Sequence, residues 1–394
     1  MSIWEQKGGI LITCPRNVPP ITGSEVKKLG FPVTEESELA IATEGIFADT
    51  MTLNLHLRTG HRVLFFIDGF TARNAGELYG RMVGYPWERL IREDDYITVT
   101  STVDNETITD SRFVNVRVKD AIVDRIRKKC GRRPDSGPGR EKVVIHLYWK
   151  LNTVSVYLDT SGEPLSKRGY RKIPMHAPMQ ETLAAAVILS TGWDGTGVFI
   201  NPMCGSGTLA IEAALIAAGK APGLTRSNYG FMHVKGFNPS LWKDLLVKAR
   251  NDERPPGKST IIATDISRKA VLSASKNARA AGVEHMIDFA VCDYANTKIP
   301  AGNGIVIINP EYGYRLGDME ELKVVYKGIG DFFKQRCKGY HGYIFTGNMV
   351  LAKNVGLRTM RRLPFYNGEI PCRLLEYDMY EGSKKSKYVG NTVS

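Results

Sequence analysis

At 394 residues the chain is longer than one ordinary domain, and its length asks for two or three hydrophobic cores. Hydrophobic residues make up 43% and charged residues 24%, the balance of a globular protein, and no apolar run approaches the roughly 18 residues that would span a bilayer. The formal net charge of +12 is unevenly spread: Ser111 to Met175 holds sixteen Lys/Arg against six Asp/Glu, a surplus of ten. Such a concentration supplies sequence-independent phosphate contacts and makes nucleic acid the leading partner, with a solvated surface helix as the plain alternative.

The first residues contain Glu5, Lys7 and two glycines and lack the apolar stretch and cleavage site of a signal peptide, so a cytoplasmic protein is expected. The six cysteines, Cys14, Cys130, Cys204, Cys292, Cys337 and Cys372, are scattered with no C-x-x-C pair, and the seven histidines are equally dispersed. Reduced thiols and no metal site are expected.

In chain order, the stretches Gly9–Cys14 and Arg62–Ile67 read as strands around a helix near Ala48–Leu57, a small α+β unit. A second unit follows, with strands near Tyr96–Ser101 and Val143–Lys150, a basic helix over Asn115–Lys129 that stops at Gly131, and a strand with half-buried alternation at Thr153–Asp159. Leu165 to Lys172 is basic with one aromatic and reads as a linker too polar for a core. Beyond it, short apolar runs at Val198–Ile200, Thr260–Thr264, Ile287–Val291, Gly304–Ile308 and Gly342–Phe345 alternate with helical stretches, the pattern of a parallel sheet covered on both faces. Arg361–Glu369 and Cys372–Tyr380 suggest a closing hairpin, and the polar tail from Glu381 is expected to be disordered.

After the first of these strands comes Asn201-Pro202-Met203-Cys204-Gly205-Ser206-Gly207-Thr208, leading into a helix. Glycines there let backbone approach a ligand at the carboxyl end of a strand, though a lone G-x-G also describes any nucleotide site or a tight turn. Asp265 ends the next strand and Asp293 the one after it. Each alone is more often a helix N-cap, yet one could accept ribose hydroxyls and the other an adenine amine, so that three consecutive strand ends describe an adenosine. Asp265 lies 58 residues past Gly207, against the ~20 of a dinucleotide fingerprint, which argues against NAD. The fourth strand runs into Asn309-Pro310-Glu311-Tyr312. An aromatic amine is a poor nucleophile; the Asn309 carboxamide oxygen and the Pro310 carbonyl could accept hydrogen bonds from its N–H groups while Tyr312 stacks on the base. Asn-Pro is equally a common turn dipeptide.

These blocks together resemble the THUMP-containing bacterial 23S rRNA guanine-N2 methyltransferases. Val118–Asp124 is similar to the THUMP helix, Leu158-Asp159-Thr160-Ser161-Gly162 with Leu165 and Arg168-Gly169-Tyr170-Arg171 to its closing strand and linker, and Ala177–Ala186 to the helix that opens the catalytic domain. Pro202–Thr208 and Ala221-Pro222-Gly223-Leu224 nearly match family motifs. The resemblance implies an α/β protein with a ferredoxin-like unit over 1–72, a THUMP RNA-binding domain over 73–165, a Rossmann-like class I methyltransferase domain over 166–382 and a tail over 383–394. It implies S-adenosyl-L-methionine as cofactor, held by Thr182, Asn201, Pro202, Cys204, Gly205, Gly207, Thr208, Asp265 and Asp293, with Asn309, Pro310 and Tyr312 catalytic. RNA, 23S rRNA foremost, is the implied partner, with Arg117, Lys119, Arg127, Lys128, Lys129, Arg132, Arg133, Arg168 and Arg171 as candidate phosphate contacts. Asn201 stands where the family usually has Asp, and Glu311 replaces the second proline of N-P-P-Y. Some large family members carry a second methyltransferase domain, which this length does not hold. The alternatives weighed are a tRNA guanine-N2 enzyme, a DNA adenine-N6 enzyme and an RNA-binding protein with a decayed active site.

Overall fold

A computed structural model describes residues 4–105, 108, 110–173, 179–255, 257, 259–313 and 318–379. Ala177, Pro178 and the tail over 383–394 lie outside them. The chain divides into two compact units: 1–168 with 221–253, and 169–220 with 254–394.

The front unit carries strands β1 (Gly8–Thr13), β2 (Glu35–Glu36), β3 (Ala40–Gly45), β4 (Arg62–Thr71), β5 (Tyr96–Asp104), β6 (Asp135–Ser136), β7 (Val143–Lys150) and β8 (Thr153–Asp159). They form one sheet in the order β2-β3-β1-β4-β8-β7-β5-β6. The two small α+β units expected from sequence therefore share a single sheet, joined where β4 pairs antiparallel with β8. Strand alternation sorts the side chains: Val63 and Phe65, Val143, Ile145, Leu147 and Trp149, and Val154, Val156 and Leu158 fill one core. Helices α1 (Pro19–Lys28), α2 (Phe47–His56), α3 (Ala75–Gly84) and α4 (Ser111–Cys130) put their apolar faces into that same core. Helix α4 starts at the Asp110 cap, which accepts from the Arg112 N–H, and stops at Gly131 in the left-handed conformation.

The turn after β8 is a buried polar knot. Asn54 donates to Thr160 Oγ1 at 2.8 Å and accepts from Ser161 Oγ at 2.6 Å, while the Val63 amide donates to Ser161 Oγ at 2.9 Å. Residues 221–253 fall within the sequence range of the methyltransferase motifs, yet they pack into the front unit. Tyr229 stacks on Phe231 at 5.0 Å, Trp242 of helix α5 (Pro239–Asn251) meets both edge-on, and all three join the core around Leu55 and Trp87.

On the other face of this sheet, His146 of β7 hydrogen-bonds Thr100 at 2.8 Å, and burial, then the charges of Arg62 and Arg140, lower its pKa to about 4. The unfolded chain protonates near pH 6.5 while the folded one resists to about 4, so this histidine favours the fold above 6.5 and costs stability as pH falls towards 4. His146→Gln should flatten the loss of unfolding free energy between those pH values by up to about 3 kcal/mol. Denaturant unfolding at a series of pH values measures it, and wild type and variant losing stability in parallel would assign the acid sensitivity elsewhere.

The back unit holds β9 (Gly197–Pro202), β10 (Ser259–Asp265), β11 (Ile287–Val291), β12 (Gly304–Ile308), β13 (His341–Thr346), β14 (Arg362–Asn367) and β15 (Ile370–Asp378), in the order β11-β10-β9-β12-β13-β15-β14. The first five strands of that order are parallel and the last pairings antiparallel, the closing hairpin expected from sequence. Helices α6 (Glu181–Ser190), α7 (Thr208–Ala217), α8 (Arg268–Ala281) and α9 (Asp318–Arg336) accompany it. Helix α7 is buried along its whole length, as its run of apolar residues requires.

Candidate active site

Parallel pairing sets the site. Because β11, β10, β9 and β12 run the same way side by side, Asp293, Asp265, the 201–208 turn and Asn309 follow one another along one edge of the sheet, at the carboxyl ends. The β9–β12 ladder stops at Ile200 and Val306. Beyond it the buried Asn201 side chain bridges the two strands, donating from Nδ2 to the Ile307 carbonyl at 2.9 Å.

The turn between β9 and α7 needs unusual backbone. Met203, Gly205 and Gly207 have φ of 55°, 55° and 85°, strained for methionine and natural for glycine. A Cβ on Gly207 would stand 2.8 Å from that of Ala274 in α8, so this glycine also permits close packing, whereas space above Gly205 is open. Asp265 fixes the turn: one carboxylate oxygen accepts from the Gly205 N–H at 3.0 Å and the other from the Ser267 N–H at 2.9 Å. Asp293 caps the short 294–296 turn, accepting from the Ala295 N–H at 2.9 Å, and each acid keeps lone pairs for a ligand. Burial, then the charge of Asp265, pushes the Cys204 thiol well above the ordinary range, so it stays a neutral wall. Pro202 and Thr208 are buried beside it.

Among the described residues, the buried side-chain atoms of this unit without a partner are Thr182 Oγ1 on α6, Asn201 Oδ1 and Trp193 Nε1. Both neighbours of Asn201 Nδ2 are carbonyl oxygens, of Ile307 and Pro202, so the amide orientation leaves its oxygen as the orphan. Unsatisfied buried polar atoms are costly, and a bound polar ligand would satisfy them.

At the other end of the edge, the Tyr312 hydroxyl donates to Asn309 Oδ1 at 2.9 Å, which fixes that oxygen as an acceptor with one lone pair left. Pro310 is buried and Glu311 exposed, its carbonyl receiving the Tyr326 hydroxyl at 3.2 Å. Asn348, just past β13, donates to the Tyr312 carbonyl at 2.8 Å. Neither Tyr326 nor Asn348 was singled out from sequence; the T-G-N following the fifth apolar run was the available signal for the latter.

The candidate phosphate contacts separate. Arg127, Lys128, Lys129, Arg132 and Arg133 are all exposed around the end of α4. Arg117 lies over the Tyr79 ring at 4.1 Å and Lys119 pairs with Asp120 at 2.5 Å. Arg168 and Arg171 depart from the expected phosphate contacts. Arg168 is 1% exposed and donates to the carbonyls of Leu57, Leu165 and Arg58; Arg171 bonds Glu181 at 3.0 Å, the Met179 carbonyl at 2.8 Å and Thr208 at 3.3 Å. Half of the segment read as a polar linker is thus buried, Leu165 and Tyr170 included, and backbone carbonyls and Glu181 consume its guanidinium donors.

A model of the RMKL-like methyltransferase domain matches residues 168–376, more than half the chain, after models of the RlmL ferredoxin-like domain over 9–64 and the THUMP domain over 72–159. The chain belongs to the RMKL-like methyltransferase family. Within it, a "Ribosomal RNA large subunit methyltransferase K/L" of Syntrophotalea carbinolica is 36% identical over 94% of this chain but 53% of its own, so this chain spans about half the length of such relatives. A Synechocystis protein named "Putative RNA methyltransferase" is 33% identical over 93% of this chain and 96% of its own. The crystal structure of SMU.472, a complex with SAH, matches 96% of this chain and all of that one at 25% identity and a TM-score of 0.85. The sheet of the back unit is accordingly the methyltransferase domain of an α/β protein whose front sheet combines the ferredoxin-like and THUMP domains.

Arg168→Ala should lower stability by about 3 kcal/mol, since three carbonyls lose a charged donor in a buried place. Thermal unfolding checks this. An Arg168→Ala protein of unchanged stability but altered salt dependence of RNA binding would return this residue to the RNA surface.

Proposed function

We propose that the protein is an S-adenosyl-L-methionine-dependent RNA methyltransferase that modifies the N2 amine of a guanine in large-subunit ribosomal RNA. One observation carries the reading: Asp293, Asp265, the 201–208 turn and Asn309 stand on four adjacent strand ends, so acceptors for an adenosine lie beside acceptors for an amine. The orphaned Thr182 Oγ1 and Asn201 Oδ1, and the open backbone at Gly205, suit a cofactor rich in hydroxyl and amine donors. When bound, S-adenosylmethionine supplies an electrophilic methyl group. Asp265 accepts from ribose hydroxyls and Asp293 from the adenine amine. Asn309 Oδ1, already held by Tyr312, and the Pro310 carbonyl would accept hydrogen bonds from the two N–H groups of the base amine, which localises the nitrogen lone pair for attack; Tyr312 offers a stacking face. The exposed Glu311 leaves both acceptors intact, which favours a working site over a decayed one. The relatives named for large-subunit rRNA support the substrate, and the bare cations around the end of α4 support RNA capture. Such a substrate goes with a cytoplasmic protein.

Asp265→Ala should weaken S-adenosylmethionine about 5- to 150-fold, a loss of about 1–3 kcal/mol, while RNA affinity holds. Calorimetric titration giving wild-type cofactor affinity would refute this role.

Asn309→Ala should cut single-turnover methylation by about a thousandfold with both ligands still bound, because its acceptor matters most as the amine pyramidalises. Labelled methyl groups traced in total RNA decide the target: N2-methylguanine in the large-subunit fraction supports the proposal, label in tRNA or on adenine replaces its substrate, and near-normal turnover by the variant removes its mechanism.

A further inference from the structure

The core of the front unit lies on one face of its sheet, and helices α1 to α4 all cover that face. The opposite face carries a different chemistry. Phe66 of β4 stands opposite Tyr157 of β8 in register, with ring centroids 5.6 Å apart. Tyr157 meets Tyr148 of β7 at 5.9 Å, and Tyr148 meets His146 at 4.6 Å. The four rings form an edge-to-face row across three strands, and each remains partly exposed. Around the row the strands offer hydroxyls, Thr100, Thr102 and Ser155, and none of the large exposed hydrophobic side chains of the described residues belongs to it.

One end of the face opens into a cleft of about 410 Å³ whose lining includes the cations Arg62, Arg140 and Lys167 and the acids Glu141 and Glu163. Arg62 is tied to Asp159 and Lys167 to Glu163 at 2.5 Å, whereas the half-buried Arg140 guanidinium has no hydrogen-bond or ion-pair partner among the described residues. The low pKa of His146 keeps its ring neutral at physiological pH.

We propose that this face is a stacking platform for a single-stranded RNA segment, whose bases lie on Phe66, Tyr148 and Tyr157 and whose backbone phosphate is taken by Arg140. Open sheets with aromatic rows hold unpaired bases because every base has a π-face, and a cation at the end of the row anchors the phosphate without reading sequence. Leu64 and Val144 on this face are buried, so the rings and hydroxyls are what it presents to a ligand, and a duplex, whose bases are already stacked, gains nothing from the rings. The platform rests on the reading of RNA as substrate, and it adds to the exposed cations around α4, which need only phosphate.

The test titrates full-length protein with a fluorescent single-stranded oligouridylate and, separately, with an RNA hairpin over a range of salt. Tyr148→Ala and Tyr157→Ala should each weaken the single strand about tenfold with an unchanged salt slope, while Tyr148→Phe and Tyr157→Phe bind as wild type. Arg140→Gln should lower the slope by about one. Unchanged S-adenosylmethionine affinity and thermal midpoint show that the variants are folded. The platform is overturned if the alanine variants bind the single strand normally, or if the phenylalanine variants lose as much as the alanine ones. Wild type that captures the hairpin and ignores the single strand also overturns it, leaving the RNA reading in place; wild type that binds neither overturns both.

Discussion

Parallel pairing of β9 with β10 on one side and β12 on the other is the constraint from which the site follows. The crossover helices leaving β9 and β12 go to opposite sides of the point where strand order reverses, so a crevice must open beyond their carboxyl ends. Shortening of the β9–β12 ladder at Ile200 and Val306 is the visible start of that crevice, and Asn201 closes its floor with a side-chain bond where the backbone bonds end. Everything chemically interesting in the back unit stands on this rim. Gly207 has to be a glycine because the turn is left-handed and α8 is close, and Asp265 can tie down the turn only because β10 is the neighbour of β9.

The catalytic end obeys a similar economy. Asn309 emerges from a strand whose last four residues are buried, so its backbone is fixed, but a side-chain amide can still rotate. The Tyr312 hydroxyl removes that freedom, and Tyr326 and Asn348 in turn hold the 311–312 backbone. On the proposed reading the acceptor geometry is therefore set before a base arrives, which would lower a barrier that depends on orientation.

In the front unit the organising feature is the polar knot after β8. Asp159, Thr160 and Ser161 are all buried and all bonded, and Arg62, Arg226 and Asn54 converge on them. Arg226 donates to the carbonyls of Pro164, Ser161 and Glu163, and burial pulls its pKa down without discharging it at any ordinary pH. A segment from far along the chain is thus fastened to the front sheet by a cation that reads, in sequence, like any surface arginine.

What the sequence determined by itself were the local elements and the chemical kinds. The strand at Thr153–Asp159 has the bounds expected from alternation, and α4 runs a few residues beyond the expected Asn115–Lys129 because Asp110 caps it and Gly131 ends it. The five short apolar runs became the parallel strands, four of them buried on both faces and the fifth, β11, a largely exposed edge strand. Only the tertiary structure decided where charge and polarity would be spent. Arg168 and Arg171 look no different in sequence from Lys128 or Arg132, yet carbonyls from distant loops surround the first pair and water the second. The fusion of two α+β halves into one sheet, the membership of 221–253 and the aromatic row across β4, β8 and β7 all depend on strand neighbours far apart in the chain. Periodicity reports which face a residue takes on its own strand; it carries no information about which strand lies alongside, and that neighbour is what makes a ring a platform or an arginine a staple.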